Sequence, residues 1–377
     1  MDELVEVLSA LVAIDSVNPN LVPGGAGEGE IAAYVARWLE RAGLEVSLQE
    51  TAIGRPNVIG IARGTGGGRS LMLNAHMDTV GLGGPDGALA PRVEGDRLYG
   101  RGSFDMKGSL AAIMLAGAEL AKSPPRGDVL ITAVTDEEYA SIGTQAIVRD
   151  YRADAAIVTE STDLQTLIAH KGFVWAEIET FGVAAHGSRL REGVDAIAKM
   201  GPVLTGLADL DRRLRAGQRH HLVETASVHA SLIEGGIELS TYPDRCRLQI
   251  ERRTIPGETA AQVEGELNAI VAAAGKDDPA FRAEVRMGIV REPFGIAEDA
   301  EIVRLTRQAS KAVTGQDALF TETVGWMDAA LLSAVGIPTV VYGPTGVGAH
   351  ASSEWVDLPA VERCRRVYLA VARAFCG

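Results

Sequence analysis

Short apolar runs alternate with helix-like segments through the first half of the chain. Ile31, Val35, Trp38 and Leu39 recur at the spacing of one helix face, and residues 110–121 form a second helical stretch. Five short apolar runs accompany these helices, at residues 44–48, 57–62, 71–75, 129–134 and 155–158. Near-continuous apolar strands that alternate with helices are typical of a sheet covered on both faces. The first half therefore predicts an α/β domain.

The pattern changes after residue 172. Six segments follow in the order strand, helix, strand, strand, helix, strand, at about residues 174–180, 196–207, 227–233, 246–253, 260–274 and 281–290. This order is that of a ferredoxin-like α+β module. The pattern of the first half then resumes at residues 302–313, 329–335 and 339–342. We predict one α/β domain made of residues 1–172 and 291–377, with a smaller domain inserted at residues 173–290.

Composition narrows the class of protein. The 377 residues include 50 Asp and Glu against 36 Lys and Arg, so the formal net charge is −14, and 46% of the residues are apolar. An acidic chain of this kind can bury a core but lacks the basic face of a nucleic-acid binder. We find no apolar stretch of about 18 residues and no signal-like start. Cys246, Cys364 and Cys376 lack CxxC spacing. These features predict a cytoplasmic protein with reduced thiols and with neither a membrane nor a nucleic-acid partner.

Side chains that can bind metals follow several predicted strands of the main domain. They are His76 and Asp78 after the run 71–75, Asp136, Glu137 and Glu138 after 129–134, Glu160 after 155–158, His350 after 339–342, and Asp105 ahead of a helix. Ligands bind beyond the carboxyl ends of the strands in an open α/β sheet, and imidazoles and carboxylates suit divalent metals. Taken singly, each has an ordinary explanation, such as a helix cap, a solvated acidic turn or a polar strand end. Together they predict a metal site.

Several motifs around these residues occur in the order of one known family. They are SVNP (16–19), NAHMDTV (74–80), GRGSFDMKG (100–108), TDEE (135–138), AHGS (185–188), ERRTIPGE (251–258), GIP (336–338) and AH (349–350) with Glu354. With these motifs the chain resembles the M20 metallopeptidases, which include acetylornithine deacetylases, succinyl-diaminopimelate desuccinylases, aminoacylases and carboxypeptidases. The resemblance covers almost the whole chain. It implies a zinc-exopeptidase-like domain with a mixed central sheet flanked by helices, and an inserted ferredoxin-like lid and dimerisation domain.

The resemblance also implies two divalent metal ions, Zn²⁺ in the first place and Co²⁺ as the alternative. His76 and Glu160 would bind one ion, Glu138 and His350 would bind the other, and Asp105 would bridge the two. The three carboxylates would offset three of the four positive charges. Family members often carry a cis peptide after the bridging aspartate, so the resemblance extends to the Asp105–Met106 bond.

Two further carboxylates receive roles by the same resemblance. Asp78 would hold the tautomer of the His76 imidazole. Glu137 would be the general acid/base, taking a proton from a water that bridges the metals and passing it to the leaving amine.

The lid residues are assigned less directly. His186 would help to stabilise the oxyanion, usually in the active site of the partner subunit of a homodimer, although an ordinary turn histidine is the alternative. Arg253 would bind the substrate carboxylate, with Arg252 or a lid salt bridge as the rival explanation. The chain has Leu190 where the family commonly has Pro, and Ser240 where it often has Asn.

We therefore expect a dinuclear amidohydrolase that cleaves an N-acyl amino acid with a free carboxylate, as acetylornithine deacetylases do. A dipeptidase or carboxypeptidase with the same site is the alternative. A catalytically inactive metal-binding scaffold is a further alternative, but Glu137 and the five ligand positions all carry competent side chains. A nucleotide-dependent enzyme is disfavoured, because no GxGxxG or P-loop lies between a predicted strand and helix.

Overall fold

The computed structural model describes residues 1–83, 88–323 and 325–377, apart from the side chains of 322 and 323. The chain forms two compact units. The first unit comprises Met1–Ile168, Ile296–Thr321 and Met327–Gly377, and the second comprises Ala169–Gly295 with Glu322–Trp326.

Helices and strands alternate along the described chain. The helices are α1 (Asp2–Ala13), α2 (Gly29–Arg41), α3 (Gly108–Lys122), α4 (Ile142–Asp150), α5 (Ala196–Ala216), α6 (Ala260–Gly275), α7 (Glu301–Thr314), α8 (Ala329–Ala334) and α9 (Leu358–Phe375). The strands are β1 (Glu45–Ala52), β2 (Arg55–Ala62), β3 (Leu71–His76), β4 (Arg92–Glu94), β5 (Arg97–Tyr99), β6 (Val129–Val134), β7 (Ala155–Val158), β8 (Thr166–His170), β9 (Gly172–Phe181), β10 (Arg219–His220), β11 (Glu224–Thr225), β12 (Ser227–Gly235), β13 (Arg245–Thr254), β14 (Arg282–Arg291), β15 (Phe294–Gly295), β16 (Phe320–Thr323), β17 (Thr339–Val341), β18 (Gly346–Val347) and β19 (Trp355–Asp357).

The first unit is built on a mixed sheet with the strand order β1-β2-β6-β3-β7-β17-β8. Strand β3 runs parallel to β6 and β7, and β17 runs parallel to β7, whereas the β1–β2, β2–β6 and β17–β8 pairs are antiparallel. Every residue of β3, β6 and β7 is buried, which requires cover on both faces of the sheet. The predicted α/β sheet is therefore confirmed.

The second unit contains a four-stranded antiparallel sheet in the order β12-β13-β9-β14. Alternate residues of β9, namely Val174, Ala176 and Ile178, share a core with Met200 of α5 and Leu267 of α6. The other set of β9 side chains lies on the opposite face, as the period of a strand requires. This strand order is that of a ferredoxin-like module and confirms the predicted fold class of the smaller domain.

Two further observations concern the chemistry of the whole chain. The thiols of Cys246, Cys364 and Cys376 are free and buried. Among the described helices, none combines the length and the apolar character that a membrane crossing needs.

Candidate metal centre

The register of three parallel strands brings the candidate ligands to one edge of the sheet. His76 at the end of β3 is paired with Val134 at the end of β6, and Asn74 of β3 is paired with Val158 at the end of β7. The acidic residues that directly follow β6 and β7 therefore emerge beside His76. The edge is the carboxyl end of the parallel strands, where α/β proteins bind their ligands.

The two imidazoles and three of the carboxylates converge on this edge. Nε2 of His76 lies 3.2 Å from Oδ1 of Asp105 and 3.6 Å from Oε1 of Glu160. Nε2 of His350 lies 3.3 Å from Oδ2 of Asp105 and 3.0 Å from Oε2 of Glu138. The two oxygens of Asp105 thus face different imidazoles, so that this carboxylate lies between the two groups.

An irregular turn, Ser103–Lys107, presents Asp105 to the site. The Asp105–Met106 peptide bond is cis, as the family resemblance implies. The turn starts at Gly102, which has a φ of +77°, and a Cβ there would lie 2.7 Å from Cγ2 of Thr79. Only glycine fits this position without strain, because the left-handed backbone and the close neighbour both exclude a side chain.

The His76 tautomer is fixed by a backbone carbonyl. Nδ1 of His76 lies 2.9 Å from the carbonyl oxygen of Asp78 and 3.5 Å from its carboxylate oxygen Oδ1. Since a carbonyl can only accept, Nδ1 carries a proton, and loss of the second imidazole proton would leave the lone pair of Nε2 free on the side of Asp105 and Glu160. This is the arrangement that metal-binding histidines need.

The carboxylate of Asp78 instead anchors the turn after β6. It accepts hydrogen bonds from the backbone N–H groups of Glu137 at 3.1 Å and of Glu138 at 3.2 Å, and from Nδ2 of Asn18 at 2.8 Å. Asp78 is itself fully buried. One residue therefore orients a candidate ligand with its carbonyl and the two adjacent glutamates with its side chain.

A second buried group, of which the sequence analysis names only Asp136, supports the same turn. Asp136 adopts a φ of +66°, and its carboxylate accepts from Nη2 of Arg55 at 2.9 Å and from Nδ2 of Asn18 at 3.0 Å. Arg55 is also paired with the buried Glu28 at 2.6 Å. The partners lie 81 and 27 residues apart in sequence, so no local pattern could reveal them.

Ligand atoms of the candidate residues form two overlapping groups. In one, His76, Glu137 and Glu160 each offer an atom within 4.8 Å of the others, and in the other His76, Asp105 and Glu138 do so. Glu137 is therefore close enough to the cluster to serve either as a ligand or as a base.

Comparison with known proteins identifies the family. Residues 72–374 match the peptidase family M20/M25/M40. The chain belongs to this family. It is 32% identical over 391 residues to an acetylornithine deacetylase of Myxococcus xanthus, with 98% of this chain and 97% of that protein covered.

A further relative and a solved structure of similar fold extend the comparison. The chain is 26% identical to the N-formyl-4-amino-5-aminomethyl-2-methylpyrimidine deformylase of Bacillus subtilis strain 168, over 100% of this chain and 95% of that protein. Among solved structures, the aminopeptidase PepT of Bacillus cereus ATCC 10987 has a similar fold, with a TM-score of 0.81 at 18% identity, covering 100% and 99% of the two chains. The predicted class, an M20 metallo-hydrolase of amide or peptide bonds, is thereby confirmed.

Burial makes three glutamates of the candidate site hard to ionise. It raises the pKa of the Glu137 carboxyl well above its ordinary value, and the charge of Glu160 adds to the rise. Burial also raises the pKa of Glu138, and that of Glu160 to about 8. These acids are crowded and desolvated, and a cation between them would relieve both penalties.

The pKa values of the two imidazoles are also raised, and for a histidine this favours the charged form. Hydrogen bonds to Asp105 and Glu138 raise the pKa of His350 to about 10. Burial favours the neutral form of His76, but hydrogen bonds to Asp105 and Asp78 outweigh it and hold the His76 pKa well above its usual range. In the metal-free protein, protons on the two imidazoles thus supply the positive charge that the carboxylates require.

This donor set fits divalent metal ions. Imidazole nitrogens and carboxylate oxygens are the ligands that Zn²⁺ and similar ions take in hydrolases. The side chain of His350 is 57% exposed, whereas that of His76 is 1% exposed, so the cluster reaches from the interior to the surface. The geometry therefore combines buried ligands with access for a substrate.

The predicted lid residues lie in the second unit, on two different segments. Exposed His186 accepts hydrogen bonds at Nδ1 from the hydroxyl of Ser188 at 2.8 Å and from its N–H at 3.3 Å. The carbonyl of Ser240 accepts from the N–H of Gly187 at 2.7 Å, so Ser240 supports this loop through its backbone. Leu190 is 74% exposed on the same loop.

The two adjacent arginines of β13 have different surroundings. Arg252 is buried and paired with Glu258 at 2.7 Å and Glu266 at 3.1 Å. Arg253 lies 3.6 Å from Glu251 and above the ring of Phe173, and its side chain is 22% exposed. Of the two arginines, Arg252 is thus the one whose side chain is held by two glutamates within the second unit.

We predict that metal binding releases protons and becomes tighter as the pH rises. Groups with raised pKa values hold protons at neutral pH, since Glu160 titrates at about 8 and His350 at about 10, and both must lose them to bind a metal. His76, whose pKa is held well above its usual range, must also lose a proton to bind through Nε2, so at pH 7 we expect release of about three protons per fully loaded site, and weaker binding at pH 6 than at pH 8. Titration calorimetry in buffers of different ionisation enthalpy measures this number. Binding without proton release would contradict the assignment of both residues as ligands.

Proposed function

We propose that this M20 protein hydrolyses the amide bond of an N-acyl amino acid that has a free α-carboxylate. The observation that carries the proposal is the 32% identity to an acetylornithine deacetylase across nearly the whole of both chains. The similarity to a deformylase, named for removing another small acyl group, supports the same reaction type. A dipeptidase or carboxypeptidase is the alternative and differs only in the substrate.

In this proposal two divalent ions, in the first place Zn²⁺, occupy the cluster. His76 and Glu160 would hold one, Glu138 and His350 would hold the other, and Asp105 would be shared by both. When bound, such ions polarise the amide carbonyl and lower the pKa of water.

Glu137 is the proposed general acid/base. It is held against the site because its N–H donates to Asp78, and burial gives its carboxyl a raised pKa. It takes a proton from the attacking water and later delivers it to the amine that leaves. Glu138, the next residue, is bonded to His350 and serves as a ligand. The two roles fall to two adjacent glutamates because one carboxylate cannot hold a cation and carry a proton at once.

Two residues of the second unit have proposed roles toward the substrate. Because Nδ1 of His186 accepts two hydrogen bonds from Ser188, the neutral imidazole has its proton on Nε2. His186 is thus prepared to donate to an oxyanion. Arg253 is the proposed partner of the substrate carboxylate, since Arg252 is committed to two glutamates.

We also propose a homodimer formed through the second unit. Strand β12 is at an edge of its sheet, and Leu232 and Ile233 on it are 61% and 52% exposed. A long edge strand with exposed apolar side chains is a surface that proteins normally cover. In the dimer, His186 of the partner subunit would serve each active site.

The substrate prediction is tested with protein loaded with Zn²⁺ or Co²⁺. The panel comprises N-acetylornithine, N-succinyl-diaminopimelate, other N-acyl amino acids, their carboxamide analogues and dipeptides. We expect hydrolysis of N-acyl amino acids, and a large loss of kcat/KM for the carboxamides because an uncharged amide cannot form the charged, two-bonded pair with the Arg253 guanidinium. Liberated amine is measured directly.

Faster cleavage of dipeptides would favour the alternative function. Equal rates for acids and carboxamides would contradict recognition of a free carboxylate. The absence of hydrolysis throughout the panel would contradict both.

Substitution of each of the two adjacent glutamates by glutamine distinguishes the general base from the metal ligand. We expect Glu137→Gln to lower kcat by about 10²–10⁴-fold while two metal ions remain bound, because the proton carrier is lost. We expect Glu138→Gln to lose metal as well, because its carboxylate is a ligand. Metal content after dialysis and single-turnover rates give the two readouts.

Each variant is the control for the other, as both remove one charge from the same turn. Loss of metal in Glu137→Gln but not in Glu138→Gln would reverse the assignment.

The proposed dimeric site is tested by complementation. Glu137→Gln and His186→Ala should each be nearly inactive, but mixing them with subunit exchange should restore about a quarter of the parent activity. Half of the dimers would be hybrids, and each hybrid has one site with an intact Glu137 and an intact His186 of the partner subunit. Native mass spectrometry establishes that hybrids have formed. Hybrids without activity would show that His186 does not act across subunits.

A further inference from the structure

We propose that Glu354 and Arg101 are positioning residues that hold three loops of the metal centre in register. The inference rests on the proposed two-metal function. Neither residue is one of the candidate ligands, and both are almost fully buried, with side chains 2% and 3% exposed.

Glu354 gathers the loop that carries Asp105. Its Oε1 accepts from the N–H of Phe104 and from the N–H of Asp105, both at 2.9 Å. Its Oε2 accepts from the N–H of Gly102 at 2.8 Å and from Nη1 of Arg101 at 2.7 Å. Four donors occupy the four acceptor positions of one carboxylate, so Glu354 has no lone pair left for a metal or for a proton transfer. Its role is therefore to fix the backbone at Asp105.

Arg101 extends this hold to two other loops. Nε donates to the carbonyl of Gly81 at 3.0 Å, three residues after Asp78, and Nη2 donates to the carbonyl of Ala351 at 2.6 Å, next to His350. Nη1 donates to Glu354. One planar guanidinium thus bonds to the segments that follow His76 and His350, and it is paired with the carboxylate that fixes Asp105.

Stability alone is a poor explanation for this arrangement. A buried ion pair loses hydration energy on folding, and apolar replacements of such pairs are often equally stable. Apart from the bond that joins them, Glu354 and Arg101 bond to backbone groups of the segments that carry or follow His76, Asp105 and His350, and these backbone groups lie up to 252 residues away in sequence. The expected benefit is ligand geometry, since groups that orient metal ligands commonly change metal affinity by about 10–100-fold.

The test compares three variants as full-length protein. Glu354→Gln keeps the shape but turns an amide NH₂ toward N–H donors, and Arg101→Lys keeps the charge but cannot reach three acceptors. Glu301→Gln is the matched control. Glu301 forms two hydrogen bonds with Arg69, both side chains are about half exposed, and Glu301 itself is far in sequence from the ligand loops. Circular dichroism establishes folding before each titration.

We expect Glu354→Gln and Arg101→Lys to bind Co²⁺ about 10–100-fold more weakly in at least one of two steps. The visible absorption spectrum of the bound Co²⁺ should change as well, because the ligand geometry is altered, whereas Glu301→Gln should match the parent in both readouts. If Glu354→Gln does not fold, Arg101→Lys decides the question. Parent-like affinity and spectrum in the folded variants would overturn the positioning role. A parent protein that does not bind two ions would instead overturn the proposed function on which this inference rests.

Discussion

Crowding of negative charge at one buried edge of a sheet is the constraint on which the rest of this structure depends. Parallel strands β3, β6 and β7 end together, so the acids that follow them are forced close to one another. Burial then raises the pKa values of Glu137, Glu138 and Glu160. Such a cluster is unfavourable unless protons or cations compensate it. Family membership and donor chemistry agree that the compensating cations are metal ions.

The candidate ligands lie mostly outside regular helices and strands, and buried carboxylates hold those segments through their backbone N–H groups. Asp78 accepts the N–H groups of Glu137 and Glu138, and Glu354 accepts those of Phe104 and Asp105. In each case an anionic side chain orients backbone donors next to a functional group. Charged acceptors make stronger hydrogen bonds than neutral ones, so a few of them can fix a loop that has no regular structure.

The sequence predicts the buried strands closely and the supporting interactions hardly at all. Runs 129–134 and 155–158 match β6 and β7 residue for residue, because a strand that is buried on both faces must be continuously apolar. Helix α9 was not predicted, although its buried positions 361, 364, 368 and 371 show a helical period. Arg55, Arg101 and Glu354 act through partners far away in sequence, which a single sequence does not reveal. At His76, the carbonyl and the carboxylate of Asp78 both lie near Nδ1, at 2.9 and 3.5 Å.

At two places in this chain, adjacent identical residues have different surroundings, because the backbone directs their side chains to different neighbours. Along strand β13 successive side chains point to opposite faces, so Arg252 enters the core beside Glu258 and Glu266 while Arg253 lies on the other face. A substrate anion at Arg252 would have to displace Glu258 or Glu266. In the turn after β6, Asp78 fixes the N–H groups of both glutamates, yet Glu138 contacts His350 whereas Glu137 faces His76 and Glu160. The local geometry therefore distinguishes residues that a motif such as ERR or DEE presents as equivalent.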